Sequence, residues 1–253
     1  MDLHVLALDE IAAHLAGTPP ERAAFVRDCA EAGDAGAQTV FGQMLLDGAG
    51  VAKDEAAALG WFRRAAARRH VMAINMVGRC YELGWGAAID KARAAVCYEI
   101  AARQGLDWGM YNYATALALG HGVAEDKAAA LGWFRKAAAA SAGLAGAKAI
   151  NIVGGFHEDG WVVPRDLKAA AACYARAARG GDFRGAFNHA RMLGRAGRVE
   201  EAIAWLECAG ATATPAFVDK ACAWLSRGEV AAFRRRGVQA MLIGAGRGEA
   251  DRC

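Results

Sequence analysis

The sequence lacks a long apolar run and a strong excess of charge of either sign. No stretch approaches the roughly 18 uncharged apolar residues that a membrane helix needs. The 253 residues carry 30 Lys and Arg against 27 Asp and Glu, and a net charge of +3 is too small to indicate a nucleic-acid partner. The amino terminus is acidic early and does not resemble a signal peptide. We therefore expect a cytoplasmic protein that binds neither a membrane nor nucleic acid.

Paired cysteines and catalytic signatures are also missing. Seven cysteines are scattered without a CxxC pair, so we expect reduced thiols. There is no GxSxG, P-loop, HExxH or dinucleotide-binding motif. In the segment GFHEDG, residues 155–160, His157, Glu158 and Asp159 would point in three directions from a helix, and His189 alone would not complete a metal site. We predict no enzymatic activity, no catalytic residue, no metal and no cofactor.

The sequence does contain one motif that recurs several times. LLDGAGVAKDEAAALGWFRRAAA at 45–67 returns as LGHGVAEDKAAALGWFRKAAA at 119–139. The turn glycines of successive repeats are 36, 36 and 40 residues apart: Gly48, Gly84, Gly120 and Gly160. A fixed period of this length is typical of repeat proteins.

Each repeat predicts two helices joined by a loop. Six residues after each turn glycine comes an aspartate suited to cap the second helix: Asp54, Asp90, Asp126 and Asp166. Thr18 followed by Pro19 gives the same signal at the start of a degenerate first unit. Small residues in each first helix let helices approach closely, and we expect the aromatic residues of the second helices to fill the space between repeats. The small residues are Gly42, Gly78, Ala114, Gly154 and Ala190.

Stacking of such repeats predicts an all-α fold, a right-handed α-solenoid that forms a single domain over residues 1–253. We divide it into a degenerate unit 1–34, repeats 35–70, 71–106, 107–144 and 145–182, a short tetratricopeptide-like repeat 183–209, capping helices 210–244 and a flexible tail 245–253. The capping region is expected to start a helix at Thr214-Pro215 and to hold another from Glu229 to Leu242.

The repeated phrase resembles the Sel1-like repeat family, a relative of the tetratricopeptide repeats. The resemblance covers about residues 18–209 and is closest at 37–69 and 110–143, while Val162 replaces the second turn glycine in the fourth repeat. The segments NMVGRCYELGWG, LDWGMYNYA and GGDFRGAFNHARML also resemble a bacterial subgroup associated with iron- and 2-oxoglutarate-dependent hydroxylases and siderophore receptors. That resemblance implies a role in iron acquisition.

The resemblance also implies that the first helices line a concave groove. Asparagines there offer a donor and an acceptor to an extended peptide, aromatic residues offer anchors, and basic residues favour carboxylates. The alternative is that the asparagines only brace the helices. The predicted partner-binding residues are Asn75, Arg79, Trp108, Tyr111, Asn112, Lys148, Asn151, Arg184, Phe187, Asn188 and Arg191.

Three functions stay open at this point. The chain is a non-enzymatic adaptor that binds a peptide or protein in the groove, an accessory subunit of a neighbouring enzyme such as the hydroxylase, or a structural spacer without a specific ligand. We expect a monomer. Trp85 and Trp161, in the turns, are a second candidate surface, either partner contacts or turn clamps.

Overall fold

The computed structural model describes residues 8–228 and 230–246, and every regular element in them is helical. Their contacts separate two compact units, Met1–Asp126 and Lys127–Cys253, and the single domain over 1–253 stays a prediction. The boundary falls inside the predicted repeat 107–144, between its two helices. Glu229, Cys253 and most of the predicted tail lie outside the described residues.

From residue 8 onward, the described part of unit 1 contains seven helices, each packed on the next along the chain. They are α1 Leu8–Ala16, α2 Pro19–Glu31, α3 Ala35–Asp47, α4 Glu55–Ala67, α5 Val71–Leu83, α6 Lys91–Arg103 and α7 Asp107–Leu119. Unit 2 continues the alternation of first and second helices. Its helices are α8 Lys127–Ala140, α9 Leu144–Asp159, α10 Leu167–Arg179, α11 Phe183–Arg195, α12 Val199–Thr212, α13 Pro215–Arg227 and, after a π-helical turn Phe233–Gly237, α14 Val238–Gly244.

The helix starts follow the predicted caps. The carboxylate of Asp54 accepts the Ala57 N–H at 2.9 Å, and Asp90 does the same for the Arg93 N–H. Asp166 accepts two backbone N–H groups at the start of α10. Asp126 directly precedes α8. Thr18 precedes α2, and its backbone N–H donates to the Glu21 carboxylate at 2.8 Å. At Asp54, Asp90 and Asp166, carboxylates therefore satisfy the backbone N–H groups of helix starts as the sequence indicates.

The turns depend on left-handed backbone. Each first helix that a turn glycine follows ends with that glycine at φ between 65° and 79°. Two residues later a second glycine packs against the backbone of the preceding repeat. The contact is so close that a Cβ at Gly50 would overlap the Pro19 carbonyl. Val162 occupies the corresponding place in the fourth repeat and still adopts φ 52°. A β-branched side chain in this region costs on the order of 1–3 kcal/mol, so the replacement keeps the turn at the expense of strain.

The small residues of the first helices make room for aromatic rings inside the same repeat. A Cβ at Gly42 would lie 2.7 Å from the Phe62 ring, and Gly78 and Gly154 stand in the same relation to Tyr98 and Tyr174. These rings are buried between the two helices of their own repeat. The close approach was predicted, but the expectation that the aromatic residues fill the space between repeats missed this contact.

The end of unit 2 is closed by an irregular cap. Helix α13 begins at Pro215 as predicted, and the helix predicted from Glu229 to Leu242 is helical over residues 231–244, with the π-helical segment Phe233–Gly237 in front of α14. The buried ring of Phe233 lies against Gly194, where a Cβ would clash with it. Helix α14 packs on α12, so the last apolar face of the stack is covered.

Candidate functional site

The four predicted asparagines form two side-chain pairs. Asn112 Nδ2 on α7 donates to Asn75 Oδ1 on α5 at 2.9 Å, and Asn188 Nδ2 on α11 donates to Asn151 Oδ1 on α9 at the same distance. Asn75 is 2% exposed and Asn151 is 6% exposed, while Asn112 and Asn188 are half-buried. The prediction that all four face a ligand is therefore corrected: Asn75 and Asn151 brace neighbouring first helices, because a buried amide needs an internal partner.

A tyrosine and a glutamate accompany each asparagine pair. The Tyr98 hydroxyl donates to Glu82 and the Tyr174 hydroxyl donates to Glu158, both at 2.7 Å. Burial raises the pKa of Tyr98 and Tyr174, and the hydrogen bond to the carboxylate raises it further. Both hydroxyls therefore stay protonated donors at neutral pH.

Unit 2 adds two arginines to this arrangement. Arg191 donates to both carboxylate oxygens of Glu158, at 2.6 and 2.5 Å, and Arg195 lies 3.6 Å from the same carboxylate. The Arg191 and Glu158 side chains are 14% and 15% exposed. The hydrogen bonds from Arg191 lower the pKa of Glu158 to about 2, against the opposing effect of burial. Arg191 was predicted to bind a ligand carboxylate, and the structure corrects this: its guanidinium is occupied by Glu158.

Unit 1 has the same frame without counterparts of Arg191 and Arg195. Thr115 and Leu119 stand where Arg191 and Arg195 stand in unit 2. The Thr115 hydroxyl donates to the Tyr111 carbonyl of its own helix at 2.9 Å, and Leu119 is exposed. Among the described residues, Tyr98 supplies the hydrogen bond to the Glu82 carboxylate.

The other predicted partner-binding residues make their contacts within their own units. The Arg79 guanidinium lies 4.9 Å from the Trp85 ring, so this half-buried tryptophan is held in its turn. Trp108 and Tyr111 meet edge to face at 6.0 Å. Arg184 is exposed above Phe183, at 4.6 Å.

Lys148 lies near the start of α11. This half-buried lysine exerts a favourable charge effect on the carboxylate of Asp182, the buried N-cap of that helix. The second turn tryptophan, Trp161, is exposed, with its ring edge against Phe156 at 5.8 Å.

Phe187 packs beside a groove that the sequence did not indicate. Its ring packs edge to face on Phe217 and on Trp224, each at 5.6 Å. Beside Trp224, helices α11 and α13 border a groove of about 540 Å³. Its lining residues are Arg191, Arg195, Lys220, Ala223, Trp224, Arg227, Gly228 and Val230. Lys220, Trp224 and Arg227 lie beyond the clear repeats, so no column of equivalent positions could single them out.

Two of the side chains considered for chemistry make contacts of another kind. Glu158 pairs with Arg191, and the His189 ring meets Trp205 edge to face at 5.4 Å. In the part of the chain that the structure describes, no three His, Cys, Asp or Glu side chains are placed to hold a metal ion. The six described cysteines are free thiols, and burial raises the pKa of Cys80 to about 11, which disfavours the reactive thiolate.

Four successive segments match the family model described as Sel1 repeat, at residues 35–70, 71–106, 109–141 and 147–182. The chain belongs to the Sel1 repeat family. The matched segments cover more than half of the sequence, and the α-solenoid fold class predicted from the period is confirmed. A comparison with curated proteins found no match.

Several solved structures are similar to this chain in fold. A Sel1 repeat protein from Oxalobacter formigenes is 23% identical, with a TM-score of 0.70 over 90% of this chain and 96% of the other. A protective antigen of uropathogenic Escherichia coli is 24% identical with a TM-score of 0.65, over 91% of this chain and 50% of the antigen. An immunity protein from Pseudomonas aeruginosa is 15% identical with a TM-score of 0.56, over 84% and 80%. At these identities the likeness establishes the fold alone.

The family narrows the class of function. Sel1 repeats mediate protein interactions and generally serve as non-catalytic scaffolds. Within residues 8–228 and 230–246, every helix is too short or too polar to span a lipid bilayer.

Proposed function

We propose that this Sel1-repeat protein is a non-enzymatic adaptor that holds an acidic segment of a protein partner in the groove between α11 and α13. The observation that carries the proposal is the concentration of cationic side chains there. Arg191, Arg195, Lys220 and Arg227 border one groove, and Glu158 neutralises part of the charge of the first two. Lys220 and Arg227 are exposed and add positive charge beyond that pair.

The groove also offers an apolar anchor. Trp224 is 42% exposed, and its ring is held in place by Phe187. Tryptophan and arginine are enriched among residues that carry binding energy at interfaces, because they combine large contact area with directional hydrogen bonds. An acidic segment with one apolar side chain would therefore match both features of the groove.

The remaining hypotheses differ in what occupies this groove. An accessory subunit would place an acidic segment of its enzyme there, and the enzyme would lose activity or solubility without this chain. A structural spacer would bind nothing in a saturable manner. The spacer hypothesis draws on no contact in the described residues, whereas the adaptor hypothesis uses the groove directly.

A fluorescein-labelled hexaglutamate peptide tests the proposal by fluorescence anisotropy. We expect saturable binding that weakens as salt rises, and at least about tenfold weaker binding by a Lys220→Glu, Arg227→Glu variant. A Lys91→Glu, Lys168→Glu variant is the charge-matched control, because both lysines are exposed at helix starts elsewhere. Substitution of Asn112, Asn188 or Arg191 would be a poor test, because it removes internal hydrogen bonds.

Three outcomes would count against an acidic partner in this groove. Equal loss of affinity in the control variant would mean that overall charge, not the groove, attracts the peptide. Equal binding of hexaglutamine would mean that carboxylates are not recognised. Absence of saturable binding by the wild-type protein would favour the spacer hypothesis.

A further inference from the structure

We infer that Glu82 in unit 1 is a docking point for an arginine side chain of a protein partner. The inference concerns a different unit and the opposite charge from the acidic-segment groove, so neither proposal depends on the other. It rests on a comparison inside the molecule, since unit 2 contains the same frame with an arginine already bound to it.

Three contacts show that the two frames match. The asparagine pairs have the same length, the tyrosine-to-glutamate hydrogen bonds have the same length, and in both units the first helices of consecutive repeats touch, α5 with α7 and α9 with α11. Every member of the unit 2 set lies 76 residues after its counterpart in unit 1. The guanidinium of Arg191 thus marks where a cation binds such a frame.

In unit 1, Arg79 lies one turn before Glu82, where unit 2 has Gly155, and its charge acts on Tyr98. Its guanidinium lies over the Trp85 ring at 4.9 Å, so the place of the Arg191 guanidinium has no counterpart among the described residues. Thr115 replaces Arg191, and its short side chain is turned back to the Tyr111 carbonyl. The half-buried Glu82 carboxylate accepts one hydrogen bond from Tyr98, which leaves acceptor positions on both of its oxygens. A carboxylate with open positions in a partly desolvated setting favours a charged donor over water.

Two neighbouring side chains favour arginine over a simple cation. In unit 2, Arg191 also reaches the Asn188 side-chain oxygen at 3.4 Å, and Asn112 provides the equivalent oxygen in unit 1. Leu119, 56% exposed, stands in the place of Arg195 and offers apolar surface for the methylene groups of an incoming arginine. A planar guanidinium can use both oxygens of the carboxylate, which an ammonium group cannot do with the same geometry.

Peptide titration followed by NMR tests the site directly. The probe is acetyl-Gly-Gly-Arg-Gly-Gly-amide, with the same peptide carrying citrulline as the neutral isostere. We expect saturable shifts of the Asn112 side-chain amide with the arginine peptide, much smaller shifts with citrulline, and none in a Glu82→Gln variant. Equal shifts with citrulline would overturn the inference, and equal or larger shifts with a lysine peptide would replace arginine specificity by simple charge attraction.

Filling the site from within provides a second, independent test. Thr115→Arg should place a guanidinium on Glu82 as Arg191 does on Glu158, so peptide affinity should fall at least about tenfold and the unfolding temperature should rise. Thr115→Met is the control of similar length without charge. If Thr115→Arg binds the peptide like wild type, or if its effect on unfolding is the same when Glu82 is glutamine, the inference is wrong. The hexaglutamate titration is unaffected by either result.

Discussion

The two units contain the same polar frame and complete it differently. Each joins two first helices through an asparagine pair and holds a glutamate with a buried tyrosine. In unit 2 the glutamate forms an ion pair with Arg191, while unit 1 has Thr115 at that position. The comparison teaches that one scaffold can present opposite charges. The residues at two positions on one helix face, Thr115 and Leu119 or Arg191 and Arg195, decide whether an internal arginine pairs with the glutamate carboxylate.

The largest expected effect comes from filling the space that both frames share. Gly78→Val and Gly154→Val would drive a side chain into the ring of Tyr98 or Tyr174, and each should lower the free energy of unfolding by about 3 kcal/mol. Similar losses in the two units are expected because the contact is the same in both. Urea unfolding followed by circular dichroism measures the change.

Helical glycines without neighbours provide the control for these substitutions. No atom lies within 4 Å of a Cβ built at Gly60 or Gly132. Alanine there should stabilise the protein by about 0.5–1 kcal/mol, because glycine is a poor helix former. Valine variants at positions 78 and 154 that unfold at the wild-type urea concentration would contradict the packing argument.

A smaller effect should distinguish the two units. Arg191→Met leaves the largely buried Glu158 without its main partner and should cost about 2 kcal/mol, whereas Thr115→Met should change stability by about 0.5 kcal/mol or less. Hydrogen exchange resolves the location: protection should fall in α9 and α11 of the first variant. Equal loss of protection in α5 and α7 of the second would mean that the arginine is not what separates the units.

The smallest expected effect is a change in the free energy of unfolding as the pH falls. Because the folded-state pKa of Glu158 is lowered to about 2 from its ordinary value of 4.5, its contribution to stability is complete above pH 4.5 and is lost as the pH falls towards 2. The difference in unfolding free energy between wild type and Glu158→Gln should therefore shrink across this range. Chemical unfolding at several pH values measures it, and a difference that stays constant from pH 5 to pH 2 would show that the Arg191 ion pair does not set this pKa.

Local signals explain which features could be predicted. The turn glycines, the aspartate caps and Thr18-Pro19 act within a few residues, so the sequence alone indicates the helix ends. The repeat period then predicts the α-solenoid fold. The distance of 36 residues between equivalent positions also identified the small residues, although not the rings that they face.

The candidate sites depend on contacts that no local pattern displays. Asn75 and Asn112 lie in adjacent columns, and only the packing of α5 on α7 shows that they bond to each other. Glu158 was considered as a metal ligand and Arg191 as a ligand contact, yet they are each other's partners across 33 residues. Lys220 and Arg227 follow the last clear repeat, where the period offers no reference for comparison.

The asparagine pairs define the smallest segment of this chain that can be copied or removed cleanly. Each pair bonds the first helices of two consecutive repeats, 71–106 to 107–144 and 145–182 to 183–209, so excising one member of such a couple would leave a buried asparagine without its partner. Shortening or lengthening the array without that penalty requires moving two repeats together. In this respect the natural module of the protein is a doublet, and designers who splice such arrays should cut at its edges.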